Sequence, residues 1–164
     1  MTMKSLSKAL LGIYVLTLLW LVLFKFSYDL PAVLDHGTRS LNLNPFAVLS
    51  QGSLRETLDN FIVFIPFGLL LSVNFKHVSM WRKLAFIGIF SLAAEVTQFV
   101  LAIGTTDITD VIMNTAGGLF GLSVYGWVNK FVDDEKHDRF IVITMAIILM
   151  ALLWLRFFVL RVRY

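Results

Sequence analysis

Five runs in this chain are each long and apolar enough to cross a bilayer, and nothing else in the sequence narrows the choice of fold as far. Residues 9–24 carry no charge, and Phe26 extends that run past a Lys25 that can snorkel to the interface. Further runs occupy residues 58–75, 84–103, 107–128 and 140–155, the last able to continue through Arg156 towards Leu160. Hydrocarbon offers no water to the backbone, so each such segment must satisfy its own N–H and C=O groups as a helix. Composition agrees, with 58% apolar and 15% charged residues, against about 25% charged in a soluble domain. The expectation is an all-α polytopic membrane bundle of about five transmembrane helices, one membrane domain over residues 1–164.

Composition also removes whole classes of function. A net charge of +3 from dispersed basic residues gives no patch for nucleic acid. The absence of Cys excludes disulfides, thiolate metal sites and Cys nucleophiles. No H-E-x-x-H, G-x-S-x-G or P-loop pattern occurs, and His36, His77 and His137 all fall in predicted loops. The first run is longer than the ~7–15 apolar residues of a signal peptide, and no A-x-A-like cleavage site follows. It reads as an uncleaved helix.

The connections differ in character. Residues 27–57 are polar and hold Pro31, Gly37, Pro45 and Gly52, yet Leu41, Leu43, Phe46, Val48 and Leu49 can rest this segment at the membrane interface. A lid, a re-entrant piece and a plain surface loop all fit it. Gly104-Thr105-Thr106 reads as a tight link, and residues 129–139 as a charged loop whose run Asp133-Asp134-Glu135 is solvated. With the N-terminus cytoplasmic, Lys4, Lys8, Lys76, Arg82, Lys83, Lys130, Lys136 and Arg139 lie inside. Lys25, Arg39, Arg55, Arg156, Arg161 and Arg163 then lie outside, so the positive-inside rule predicts N-terminus in and C-terminus out.

Charged groups placed at depth cost roughly 2.5–3.5 kcal/mol each on insertion scales, so they face a bundle interior or a watery cavity. The third and fourth runs carry several. Glu95, Gln98 and Ala102 share one helix face by their spacing, and Asp107, Asp110, Asn114, Gly117 and Gly121 share another. At about 1.5 Å per residue, Glu95 falls roughly 12 Å and Asn114 roughly 10 Å below the outer helix ends, which matches their depths. Asn60 opens the second helix at the same boundary, after Arg55, Glu56 and Asp59. The expected result is a pocket in the outer leaflet lined by Arg55, Asn60, Glu95, Gln98, Asp107, Asp110 and Asn114.

Plain structural roles compete for several of these residues. Gly117 and Gly121 form a G-x-x-x-G, whose simplest role is close packing of the fourth helix on the second or third. Pro66 removes a backbone donor and crowds the carbonyl of Ile62, as a tolerated bend does. Asp107 can be a helix N-cap, favoured with Asp110 by the positive helix terminus. Glu95 is not covered by that explanation. Desolvation should disfavour its charged form, leaving it an acid, a base, a hydrogen-bond donor or half of a clamp with Asn114 or Asn60.

Four ordered pieces carry a family resemblance: N-L-N-P-F at residues 42–46, D-N-F-I-V-F-I-P-F-G at 59–68, E-V-T-Q at 95–98 and D-I-T-D-V-I-M-N-T-A-G-G at 107–118. Together they resemble the VanZ-like membrane proteins, over about residues 39–126. The resemblance implies a small multi-pass protein of the bacterial cytoplasmic membrane. The family is named for a member that gives low-level resistance to teicoplanin-type glycopeptides without remodelling the peptidoglycan precursor. Arg55, Asn60, Pro66, Glu95, Gln98, Asp107, Asp110 and Asn114 fall on the family's polar pattern. Many relatives have Arg in the link after the third helix, where this chain has Thr105 and Thr106, so an anionic ligand would need Arg55 or Arg39 instead.

Three functions follow. The first is a pocket that engages a lipid-linked or cell-envelope molecule, with glycopeptide antibiotic as a further partner, and needs no cofactor. The second is an intramembrane enzyme on a lipid head group or lipid-linked intermediate. There Glu95 and Asp110 would supply acid and base, or Glu95, Asp107, Asp110 and Asn114 would hold Mg²⁺ or Mn²⁺ through oxygen. The third is a structural subunit in which the polar residues are only a packing clamp.

Overall fold

A computed structural model describes residues 2–24, 38–42, 44 and 54–154. Its helices are α1 (Met3–Phe24), α2 (Leu54–Asn74), α3 (Met80–Leu101), α4 (Ile108–Val128) and α5 (Asp134–Trp154). All five are long and apolar enough to cross a membrane. Each begins before the apolar run predicted for it except α4, because polar residues such as Lys4, Arg55 and Lys136 can occupy a helical turn in the head-group layer. The predicted extension of the last helix past Trp154 lies outside the described residues, as do His36, Pro31, Pro45 and most of the segment at 27–53.

The sequence reading foresaw no strand. Yet β1 (Thr38–Asn42) pairs in parallel with β2 (Ile103–Asp107), from Thr38 opposite Ile103 to Asn42 opposite Asp107. The Gly104-Thr105-Thr106 link is therefore not a tight turn. α3 stops at Leu101, and the chain reverses at Ala102, which adopts a left-handed conformation with φ 55° and donates its N–H to the carbonyls of Gln98 and Phe99. β2 then runs back along the last turns of α3, where Thr106 Oγ1 reaches the Glu95 carbonyl at 3.2 Å. Such non-helical backbone at membrane depth is stable only when its polar groups are paired within the protein, as the ladder pairs these.

α2 and α4 form the tightest seam. A methyl placed on Gly117 would lie 2.0 Å from the Phe61 carbonyl oxygen, and one on Gly121 would lie 2.2 Å from that of Ile65. Gly68 of α2 is pressed as closely on the Gly118 carbonyl. The G-x-x-x-G thus packs on α2, while Gly118 receives the side chain of Ile87 from α3. α2 stays helical through Pro66, and α1 crosses near it, donating the Tyr14 hydroxyl to the Val63 carbonyl. Phe64 and Phe67 fill the centre, fully buried, with Phe90 of α3 against both rings.

At the end where α1, α3 and α5 begin, a polar network latches the helices. Lys76, in the α2–α3 link, reaches Asp138 at 2.6 Å and Asp134 at 3.3 Å, both on α5. The Tyr125 hydroxyl of α4 donates to Asp138 at 2.8 Å, and Asn129 Nδ2 to Asp134 at 2.7 Å. His137 is buried, stacked on Tyr125 and bonded to Asn129 Oδ1 at 2.7 Å. Two sequence expectations are corrected here. The acidic run is exposed, as expected, but it opens a helix instead of forming a loop: Asp133 caps α5 by accepting the Glu135 amide, and Asp134 is an ion-pair partner. His137 stands on a helix. An acidic first turn suits the positive helix terminus, which is why α5 starts six residues before its apolar run. Partial burial works against the charge on Lys76, but hydrogen bonds to Asp138 and Asp134 outweigh it and hold its pKa above the usual lysine value.

Candidate functional site

The polar residues of the third and fourth runs do converge, along the α3–α4 seam. Ser91, Glu95 and Gln98 are buried on α3, and Thr109, Asp110 and Asn114 are buried on α4. Glu95 is 1% exposed, and Asn114 is fully enclosed. Asn114 Nδ2 donates to Ser91 Oγ at 2.8 Å. Glu95 Oε2 accepts the backbone amide of Asp107 at 3.0 Å, at the point where β2 becomes α4. Asp107 is the N-cap of α4, accepting the Thr109 amide at 2.8 Å on one carboxylate oxygen and Asn42 Nδ2 at 2.9 Å on the other. Gln98 Nε2 donates to the Val22 carbonyl at 2.8 Å, which ties α1 to the same seam.

Glu95 and Asn114 were expected at one depth, as possible halves of a clamp. Their observed hydrogen bonds go elsewhere. Gly118 against Ile87 and Asn114 against Ser91 fix an antiparallel register in which Asp110, not Asn114, comes level with Glu95. The cause is β2, whose return along α3 starts α4 deeper than a tight turn would. Ala102 also leaves the face it was assigned, because it forms the reversal itself. Asn60 is half-buried, well inside α2 rather than at its start. Arg55 is not part of the cluster: its side chain is 95% exposed and lies 4.0 Å from Asp59, one turn along the same helix. The sequence reading missed Ser91, Thr109 and Asn42. Ser91 was findable, since it precedes Glu95 by four residues on the same face; Asn42 was not, because only the strand pairing brings it to Asp107.

Three carboxylates, Glu95, Asp107 and Asp110, surround one helix N-terminus whose dipole favours negative charge. Gln98 Oε1, Thr109 Oγ1 and Asn114 Oδ1 are buried with no hydrogen-bond partner among the described residues. Each such group typically costs about 1–3 kcal/mol. Among the described residues, no group of three or more His, Cys, Asp or Glu is arranged to hold a metal ion. Of the donor set named for Mg²⁺ or Mn²⁺, both Asp107 oxygens and Glu95 Oε2 accept N–H groups.

Comparison with known proteins supplies the lineage. No solved structure matches the chain. A relative from Enterococcus faecium, "Protein VanZ", is 50% identical over 161 residues, covering 98% of each chain. The VanZ/LLP1 family model matches residues 11–129, a span that contains the four motifs and the α3–α4 polar seam. With five helices among the described residues long and apolar enough to cross a membrane, and with this match, the chain is a multi-pass membrane protein that belongs to the VanZ/LLP1 family.

Proposed function

We propose that the α3–α4 polar seam is the working site of this protein, that it opens to the outer face, and that it engages a lipid-linked or cell-envelope molecule. Binding there would give tolerance to teicoplanin-type glycopeptides. The observation that carries this reading is the set of buried atoms Gln98 Oε1, Thr109 Oγ1 and Asn114 Oδ1 beside Glu95, which have no hydrogen-bond partner among the described residues. A polar group left unsatisfied in hydrocarbon is expensive and is retained where something else can bond to it. The 50% identity to Protein VanZ supports glycopeptide tolerance as the biology. A glycopeptide antibiotic is then a second partner, met at the outer surface. The orientation that this needs, N-terminus cytoplasmic and C-terminus outside, follows from the charge distribution.

Native mass spectrometry of the protein released from its own membrane tests the reading. A lipid or lipid-linked species should remain bound to the natural protein and be lost from an Asn114→Leu variant that still purifies as a folded monomer. If both proteins emerge with the same bound species, the seam is not the site.

A second reading, catalysis on a lipid head group, is favoured by one feature: the register that brings Asp110 level with Glu95 on the facing helix. Two carboxyls at one depth can divide acid and base roles. Glu95→Gln separates the readings, because it preserves shape and hydrogen bonding while removing the ionisable group. Tolerance lost in that variant, with lipid still bound, favours catalysis.

A further inference from the structure

The end of the bundle opposite Glu95 holds a cavity of about 690 Å³ that none of the functions above uses. Its size lies inside the range of roughly 300–1,000 Å³ common for small-molecule sites. One wall is the first two turns of α1, with Lys4 and Lys8 spaced to share a face. A second part of the lining is the first turns of α5, with Asp134, Glu135 and Asp138. Ser7 and Asn74 also line it and are settled: Ser7 Oγ donates to Asn74 Oδ1 at 3.0 Å, and Asn74 Nδ2 returns to the Ser7 carbonyl at 3.3 Å.

Charge accounting leaves the two walls unequal. Lys76 already engages Asp134 and Asp138. Lys4, Lys8 and Glu135 form no ion pair among the described residues, so one wall keeps free cations and the other a free carboxylate. The level of the cavity is marked by aromatic side chains at the same helix ends. Trp81 and Trp127 are 74% and 64% exposed, and such rings gather where acyl chains meet head groups. A two-signed cleft at that level matches a ligand carrying both signs.

We infer that this cleft binds the head group of an amine-bearing zwitterionic phospholipid, with its phosphate on Lys4 and Lys8 and its ammonium on Glu135. A primary ammonium suits Glu135 because it offers N–H donors, which a quaternary amine lacks. An anionic head group would set its charge against the α5 wall. The site is independent of the seam, so either proposal can fail alone.

The test is native mass spectrometry of the full chain with phosphatidylethanolamine, phosphatidylglycerol and phosphatidylcholine added in equal amounts. Phosphatidylethanolamine should be retained about fivefold over each of the others, and Lys4→Gln with Lys8→Gln should lower the retention of all three, because all carry the phosphate. Glu135→Gln should abolish the preference over phosphatidylglycerol while leaving the melting temperature unchanged. Equal retention of the three lipids, or a preference for phosphatidylglycerol, overturns the inference. So does displacement by free phosphoethanolamine at the same concentration, which would make the occupant a soluble molecule.

Discussion

The two polar clusters of this bundle are built from similar side chains and handle them in opposite ways. At the α5 end, Lys76, Asp134, Asp138, Tyr125, Asn129 and His137 bond to one another across four chain segments. Among the described residues, none of the buried side-chain atoms without a partner belongs to this cluster. Along the α3–α4 seam, Gln98, Thr109 and Asn114 are all buried, yet each keeps an atom with no hydrogen-bond partner among the described residues. A closed network fixes helices in place. An open one at greater desolvation cost keeps bonding capacity in reserve, and that contrast separates a latch from a candidate site.

The most disruptive test strikes the packing on which both clusters depend. Gly121→Val should leave no folded monomer in detergent, because its first added carbon already lies 2.2 Å from the Ile65 carbonyl oxygen. Size-exclusion chromatography of the purified variant reads this directly; a monodisperse peak with normal melting would refute the described seam. Next in size are changes within the seam. Asn114→Ala and Glu95→Ala should each lower teicoplanin tolerance about tenfold or more while the protein still reaches the membrane. Retained tolerance in the double variant would reduce the open network to a packing clamp.

Changes in the latch should show the reverse pattern. Asp138→Ala removes a partner from both Lys76 and Tyr125 and should cost about 1–2 kcal/mol of detergent stability with tolerance intact. The same ion pair sets a pH dependence. Because the folded pKa of Lys76 is raised, its contribution is fully present below the unfolded value of about 10.4 and is lost as pH rises beyond it. Melting curves should therefore fall off above that pH, less steeply in Lys76→Met; identical alkaline profiles would remove Lys76 from the latch. The smallest effect belongs to Arg55. Arg55→Ala should change neither stability nor tolerance measurably, given an exposed side chain and a 4.0 Å contact. A clear loss of tolerance would restore Arg55 to the site.

Much of this fold was legible from local properties. Run length and apolarity are set by the bilayer, so all five helices could be read from residue order. The G-x-x-x-G identified a close helix contact because only missing side chains permit one, although not which of two helices it met. Burial of Glu95, Gln98, Asp110 and Asn114 also followed from the cost of facing lipid. Helix starts were read late, because polar first turns look like loop until the cap or ion pair they form is seen, as at Asp133 and Asp134.

The sequence by itself therefore determined that these side chains must leave the lipid, and roughly where. Which atoms they meet was decided in three dimensions. The reversal at Ala102 and the pairing of β1 with β2 carry the chain back into the bundle before α4 begins. That descent gives Glu95 the Asp107 amide, gives Asp107 the side chain of Asn42, and moves Asn114 down to Ser91. Hydropathy is a sum over neighbours in sequence, whereas a helix's starting depth depends on contacts between segments far apart in it. The polar partners of the seam are set by that depth.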